Sequence, residues 1–170
     1  MQRDNPVEPV TVGRARAAAS AIFLVFGLNV GFWFVHIPVV AERLALEPAV
    51  LGLALLCLGV GSLTFQPIAG LFVGRVGSKR ATIVFAVAFL IAFPLVVNAP
   101  GLPLLFVLLF VTGMVGGALN VSVNTQASRI ETARARPSMS VFHGFFSSGV
   151  LLASAAGGLM INHGWGDGSG

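Results

Sequence analysis

The stretch AGLFVGRVGSKRAT, Ala69 to Thr82, gathers three of the ten Lys and Arg residues of the chain into one short, glycine-bearing segment. On both sides run apolar sequences with no Asp, Glu, Lys or Arg, approximately Ala49–Val73 before it and Ala81–Asn98 after it. A helix rises about 1.5 Å per residue, so about twenty residues cross a hydrocarbon core of about 30 Å. Arg75, Lys79 and Arg80 are thus confined to the break between two segments of membrane-spanning length. That is the pattern of a loop between transmembrane helices.

Three more charge-free runs lie at approximately Ala18–Val40, Leu102–Gln126 and Met139–Asn162. The predicted fold is an all-α integral membrane protein of five transmembrane helices, with a tail over residues 1–17 and a polar stretch over residues 163–170. Pro67 and Pro94 fall inside runs, where neighbouring helices can satisfy the carbonyls they free. The first run is longer than the roughly 7–15 residues of a signal-peptide core and no small-residue cleavage site follows it, so it reads as a retained helix.

Composition points the same way. Apolar residues make up 56% of the chain and charged residues 9%, against roughly 25% charged in soluble proteins. The bilayer is the expected solvent. The single Cys57 lies within an apolar run, which rules out an intrachain disulfide and a thiolate cluster. The net charge of +4 would suggest nucleic acid in a soluble protein, but here the bases are divided among short loops. Arg3, Arg14 and Arg16 lie in the tail, Arg75, Lys79 and Arg80 after the second run, and Arg129, Arg134 and Arg136 after the fourth; Arg43 alone lies on the other side. The positive-inside rule places the N-terminus in the cytoplasm and, after five spans, the C-terminus outside. The expected partner is the lipid bilayer, that of a bacterial inner membrane, and not nucleic acid.

Helices in lipid associate through small residues that admit close backbone approach. Gly27/Gly31, Gly70/Gly74, Gly113/Gly117 and Ser154/Gly158 all have the small-xxx-small spacing. Uncharged polar residues recur at helical spacing too. Asn29, Trp33 and His36 share one face of the first helix; Asn120 and Asn124 are one turn apart on the fourth; His143 and Ser147 are one turn apart on the fifth; Gln66 stands beside Pro67 on the second. Polar groups at membrane depth need partners or water. Two readings follow: hydrogen bonding between helices, or a hydrated solute path between helices one, four and five. The histidines can pack, or carry protons.

Enzyme chemistry is not expected. No run carries a carboxylate pair, and His143 with Ser147 lacks the orienting acid of a nucleophile. His36, His143 and His163 sit on separate segments without metal-ligand spacing. The glycine-rich loop lacks the order of a phosphate cradle. No catalytic residue, metal or cofactor is therefore assigned.

The loop resembles the signature between the second and third helices of the major facilitator superfamily, G-x-x-x-D-R-x-G-R-[KR]-[KR]. Gly70, Arg75, Gly77, Lys79 and Arg80 fall into register. Gly74 stands at the family's acid and Ser78 at one of its bases, so the resemblance implies a junction without the family's charge latch. Asn120, Asn124 and Gln126, followed by Phe142-His143-Gly144, are similar to the branch of fucose-permease-like, sugar-type permeases. The resemblance runs from about Ala17 to Asn162. Leu109 stands near the place of the fourth-helix Arg of proton-coupled members, and Ala153 and Ser154 near the Gly-Pro of drug antiporters. Neither device is expected here.

The resemblance implies twelve helices in two halves, of which this chain would supply five. The expected function is that of a partial permease moving a small polar, sugar-like solute by alternating access, completed by a C-terminal half absent from this sequence. Two other readings stay open: a small non-transporting subunit or scaffold, and a degenerate, truncated transporter. An intramembrane enzyme using His36 or His143 is a third and weaker one.

Overall fold

The computed structural model describes residues 9–162. Five α-helices account for nearly all of them: α1 (Pro9–Arg43), α2 (Pro48–Val76), α3 (Ser78–Val97), α4 (Leu102–Arg134) and α5 (Met139–Asn162). Each is long and apolar enough to cross a membrane. The tail residues 1–8 and the stretch 163–170, with His163, lie outside the described residues.

Local chemistry sets the helix ends. Pro48 and Pro103 occupy the first turns of α2 and α4, where a missing N–H costs nothing and the fixed φ suits a helix. α1 and α4 both stop on a left-handed alanine, Ala45 at φ 48° and Ala135 at φ 50°. After α1 the Leu46 N–H reaches back to the Ala41 carbonyl and the Ala45 N–H to that of Glu42, the Schellman pattern of bonds. α1 and α4 extend past the charge-free runs Ala18–Val40 and Leu102–Gln126, because Arg and Glu at a helix end are good helix formers and tolerate water. Pro38, Pro67 and Pro94 lie within continuous helix.

Between α2 and α3 there is one residue, Gly77, at φ 87° and ψ 147°. Only glycine adopts that conformation without strain. Arg75, Lys79 and Arg80 are exposed around it. They share one end of the bundle, the basic end, with Arg14, Arg16 and the α4–α5 connection.

The helices pack as two parallel pairs, α1 with α5 and α2 with α4, while α3 lies against α4 and α1. Glycine decides both pairings. Gly27 and Gly31 of α1 sit on the backbone of Phe146 and Val150 in α5, and Gly113 and Gly117 of α4 sit on that of Leu58 and Ser62 in α2. In return Gly149 of α5 meets Leu24 and Leu28, and Gly61 of α2 meets Phe110 and Met114. Each contact of the first pair recurs in the second at a constant displacement along the chain, α1 mapping onto α4 and α2 onto α5. Because α1 and α4 are antiparallel, the two-fold relation between the pairs lies across the helices, the arrangement of an inverted repeat.

The other two small-residue pairs do not pack in this way. A methyl group placed on Gly70, Gly74 or Gly158 would meet no atom within 4 Å, because their faces turn away from α4 and α1. On α5 the approach is made instead by Gly149 and by Gly157, which lies on Val35.

The interior is aromatic and aliphatic. Phe23 stacks on Phe142 with ring centroids 5.5 Å apart, and Leu105, Leu109 and Leu119 are fully buried. Outward faces are equally apolar: Leu63, Leu71 and Leu151 are 71%, 69% and 69% exposed. Water would penalise such a surface, and hydrocarbon would not.

Candidate functional site

A cleft of about 560 Å³ opens among α1, α2, α3 and α4. One wall is aromatic. Trp33 of α1 stacks on Phe93 of α3 at 5.3 Å and 14°, Phe93 meets Phe89 edge-on at 5.1 Å, and Phe89 meets Phe26 in the same way at 5.1 Å. The facing wall carries Ser62 and Gln66 from α2 with Thr112 and Asn120 from α4. Gly113, Gly116 and Gly117 keep that wall flat. A methyl group at Gly116 would meet the Phe89 ring at 2.7 Å, so these glycines set the width of the cleft.

Hydrogen-bonding capacity is left over on the polar wall. The Gln66 amide donates to the Ser62 hydroxyl at 3.4 Å, which leaves its carbonyl oxygen unbonded among the described residues. The exposed Asn120 amide has no side-chain partner among them. Among the described residues no charged side chain lines the cleft. The site can therefore exchange hydrogen bonds with a guest and stack against its apolar face, and it offers no counter-ion.

The polar residues expected from sequence are distributed unevenly. Trp33, Gln66 and Asn120 meet in the cleft. Asn29 is buried, its amide donating to the Phe89 carbonyl at 3.1 Å, and it lines a second cleft of about 560 Å³ between α1, α3 and α5. His36 lines that same cleft, and its Nδ1 donates to the Phe32 carbonyl of its own helix at 2.8 Å. α3 thus divides the shared face of α1 into two compartments. Asn124 bonds its own helix, donating to the Asn120 carbonyl at 2.8 Å. His143 and Ser147 lie exposed on α5, His143 edge-on to Phe23 at 5.6 Å. The Trp33 cleft is therefore bounded by α2 and α3, with α5 set apart behind α1. Periodicity along single helices could not show this, since it says nothing about which neighbour each face meets. Ser62 and Thr112 carry no signal of their own in sequence, because an isolated hydroxyl in an apolar run more often bonds its own helix.

Three polar contacts away from the cleft hold its frame. Arg43 donates to the carbonyls of Ala99 and Val97, both at 2.8 Å, placing a cation on the C-terminal end of α3. Arg129 of α4 reaches Ser78, the first residue of α3, at 3.4 Å. At the basic end Glu131 of α4 accepts the N–H groups of Ser138 and Met139, at 2.7 and 2.9 Å, and so caps α5 from another helix. No group of three metal-ligating residues occurs among the described residues.

Long apolar helices around an uncharged polar cleft define a multi-pass membrane protein. Comparison with known proteins gives its family. The profile of the Major Facilitator Superfamily matches residues 18–166, and the chain belongs to that family. It is 37% identical over 138 residues to an uncharacterized transporter of Sinorhizobium fredii, covering 81% of this chain and 37% of the relative. It is 34% identical over 139 residues to an uncharacterized transporter of the same superfamily in Yersinia pestis, covering 81% and 35%. The membrane protein MosC of Rhizobium meliloti is 31% identical over 147 residues, covering 86% and 35%. The chain spans about a third of the length of the curated relatives it matches. No solved structure matches it.

Proposed function

We propose that the chain is one part of a carrier for a small, polar, uncharged and sugar-like solute. It works by alternating access in a bacterial inner membrane, with the basic end cytoplasmic and the remaining helices supplied by a C-terminal half. The observation that carries this reading is the composition of the cleft. A ring-shaped solute with hydroxyl groups has apolar faces for Trp33 and Phe89 and a polar rim for Ser62, Gln66 and Asn120. An ionic solute would be left without a counter-charge in a low-dielectric site, at a cost of several kcal/mol. The nine-to-one distribution of bases supports the orientation.

Trp33 supplies the test. With Trp165→Phe as background, it is the one remaining tryptophan. Titration of the detergent-purified chain with neutral monosaccharides is expected to shift Trp33 emission saturably, and glutamate or a sugar phosphate is expected to leave it unchanged. A response to the anions alone, or none to any solute, would reject the assignment.

A further inference from the structure

A groove of about 290 Å³ runs between α1 and α3, lined by Ile22 and Val25 of the first and by Ile83, Ala86, Val87 and Leu90 of the second. Val25, Ile83, Val87 and Leu90 are exposed, which makes this an apolar outer face of the bundle. Among the described residues only Phe26 and Phe89 line both the groove and the Trp33 cleft. Their rings meet edge-on, with centroids 5.1 Å apart and planes at 85°. One pair of rings thus separates an apolar outer face from a polar cleft.

Both rings are held from behind. Phe26 rests edge-on against Phe146 of α5 at 5.2 Å, and Phe89 against Phe93 at 5.1 Å. Gly116 of α4 presents bare backbone to Phe89, where a methyl group would meet the ring at 2.7 Å. The Asn29 amide is the one polar side chain in the groove, and it donates to the Phe89 carbonyl at 3.1 Å. An unpaired amide at membrane depth is costly. Here its bond goes to the very residue that carries the ring.

An opening at this place would be damaging in both directions. An acyl chain reaching Ser62, Gln66 and Asn120 would leave hydroxyl and amide groups without partners. A polar solute escaping sideways would lose its own hydrogen bonds in hydrocarbon. α3 packs mainly on α4, so its seam with α1 depends on side chains for closure.

We propose that Phe26 and Phe89 form a partition that closes the solute cleft against the bilayer along the α1–α3 seam, with Asn29 as the positioning residue that keeps Phe89 in it. The partition does not depend on which polar solute the cleft takes, and it rests on the carrier reading only in requiring a wet cleft.

Thiol reactivity on the two sides of the rings tests it. Ala86→Cys, in the groove, and Asn120→Cys, in the cleft, are made in a Cys57→Ser background at the native locus, so that any further polypeptide the gene encodes is present. Cells with Cys57→Ser alone are the blank. A charged, membrane-impermeant methanethiosulfonate reagent is applied to spheroplasts and to inside-out vesicles. It attacks thiolates, which form in water and not in hydrocarbon, so Asn120→Cys should react at least about tenfold faster than Ala86→Cys. Adding Phe89→Ala, or Phe26→Ala if that protein does not accumulate, should bring Ala86→Cys to within about threefold of Asn120→Cys. Phe89→Leu keeps an apolar side chain in the gap and should leave Ala86→Cys slow. Leu95→Ala, a loss of apolar bulk elsewhere on α3, should do the same. Asn29→Ala should raise the rate with both rings still present, and an unchanged rate would remove Asn29 from the device. An Ala86→Cys that matches Asn120→Cys with both rings in place, or that stays slow when a ring is removed, would overturn the partition. The two readings fail separately: an unreactive Asn120→Cys rejects the wet cleft of the carrier reading, whereas a reactive Asn120→Cys beside an Ala86→Cys indifferent to the rings rejects the partition alone.

Discussion

Replacing Gly113 by alanine tests whether close backbone approach holds the bundle together. The added methyl lies 2.8 Å from the Leu58 carbonyl carbon and 3.0 Å from the Ser62 nitrogen. Carbon contacts settle at about 3.5–4.0 Å, so α2 and α4 must move apart by about 1 Å. A gap of that size forfeits a quarter to a half of each contact, and each is worth about 0.1–0.2 kcal/mol. Over the roughly 40–60 atom pairs that a leucine-sized surface makes, the loss is about 3 kcal/mol. Alanine returns about 1 kcal/mol through its higher helix propensity. The net destabilisation of about 2 kcal/mol corresponds to a fall in Tm of about 4–8 °C for a chain of this size. Thermal unfolding in dodecylmaltoside, followed by circular dichroism at 222 nm, measures it. Gly27→Ala meets the Phe146 carbonyl carbon at 2.9 Å and should fall by a similar amount, as the inverted relation requires. Gly70→Ala meets nothing within 4 Å and should hold or raise the Tm. Equal shifts for Gly113→Ala and Gly70→Ala would refute the reasoning.

Other expectations follow from single contacts. Glu131→Ala removes the acceptor of two N–H groups and should cost about 1–2 kcal/mol, while Glu131→Gln, which keeps an oxygen, should cost less; the same melting assay separates them. Arg43→Ala should cost about 1 kcal/mol, since the guanidinium is largely exposed and screened, and Arg43→Lys should recover only part because lysine cannot fork across the two carbonyls. Ala45→Gly relieves a left-handed alanine and should raise stability by about 1 kcal/mol, read as an increase in Tm.

The five helices were legible because charge is so scarce: an apolar run between arginines has few other meanings. The packing was legible in part. Gly27/Gly31 and Gly113/Gly117 mark real interfaces, and Gly70/Gly74 has the same spacing without a neighbour, since spacing identifies a face and not what the face meets. The cleft was half visible for the same reason. Trp33, Gln66 and Asn120 stand out as polar or aromatic residues at depth, but their meeting depends on α2 and α4 running parallel in contact. The roles of Arg43 and Glu131 lay beyond sequence altogether. Each bonds backbone groups of another segment, and backbone carries no signature in the letters of its partner.

Gly77 has one further consequence, for how this region can vary. A joint of one residue has no slack, so α3 inherits its rotation directly from α2. Inserting a single residue there would turn α3 by about 100° about its own axis. Phe89 and Phe93 would leave the cleft, and Lys79 and Arg80 would sweep around the bundle with them. Side chains near this turn can change one at a time, but its length has to stay constant. The junction is a fixed gear between two helices, in which the count of residues matters more than their identity at every position except Gly77 itself.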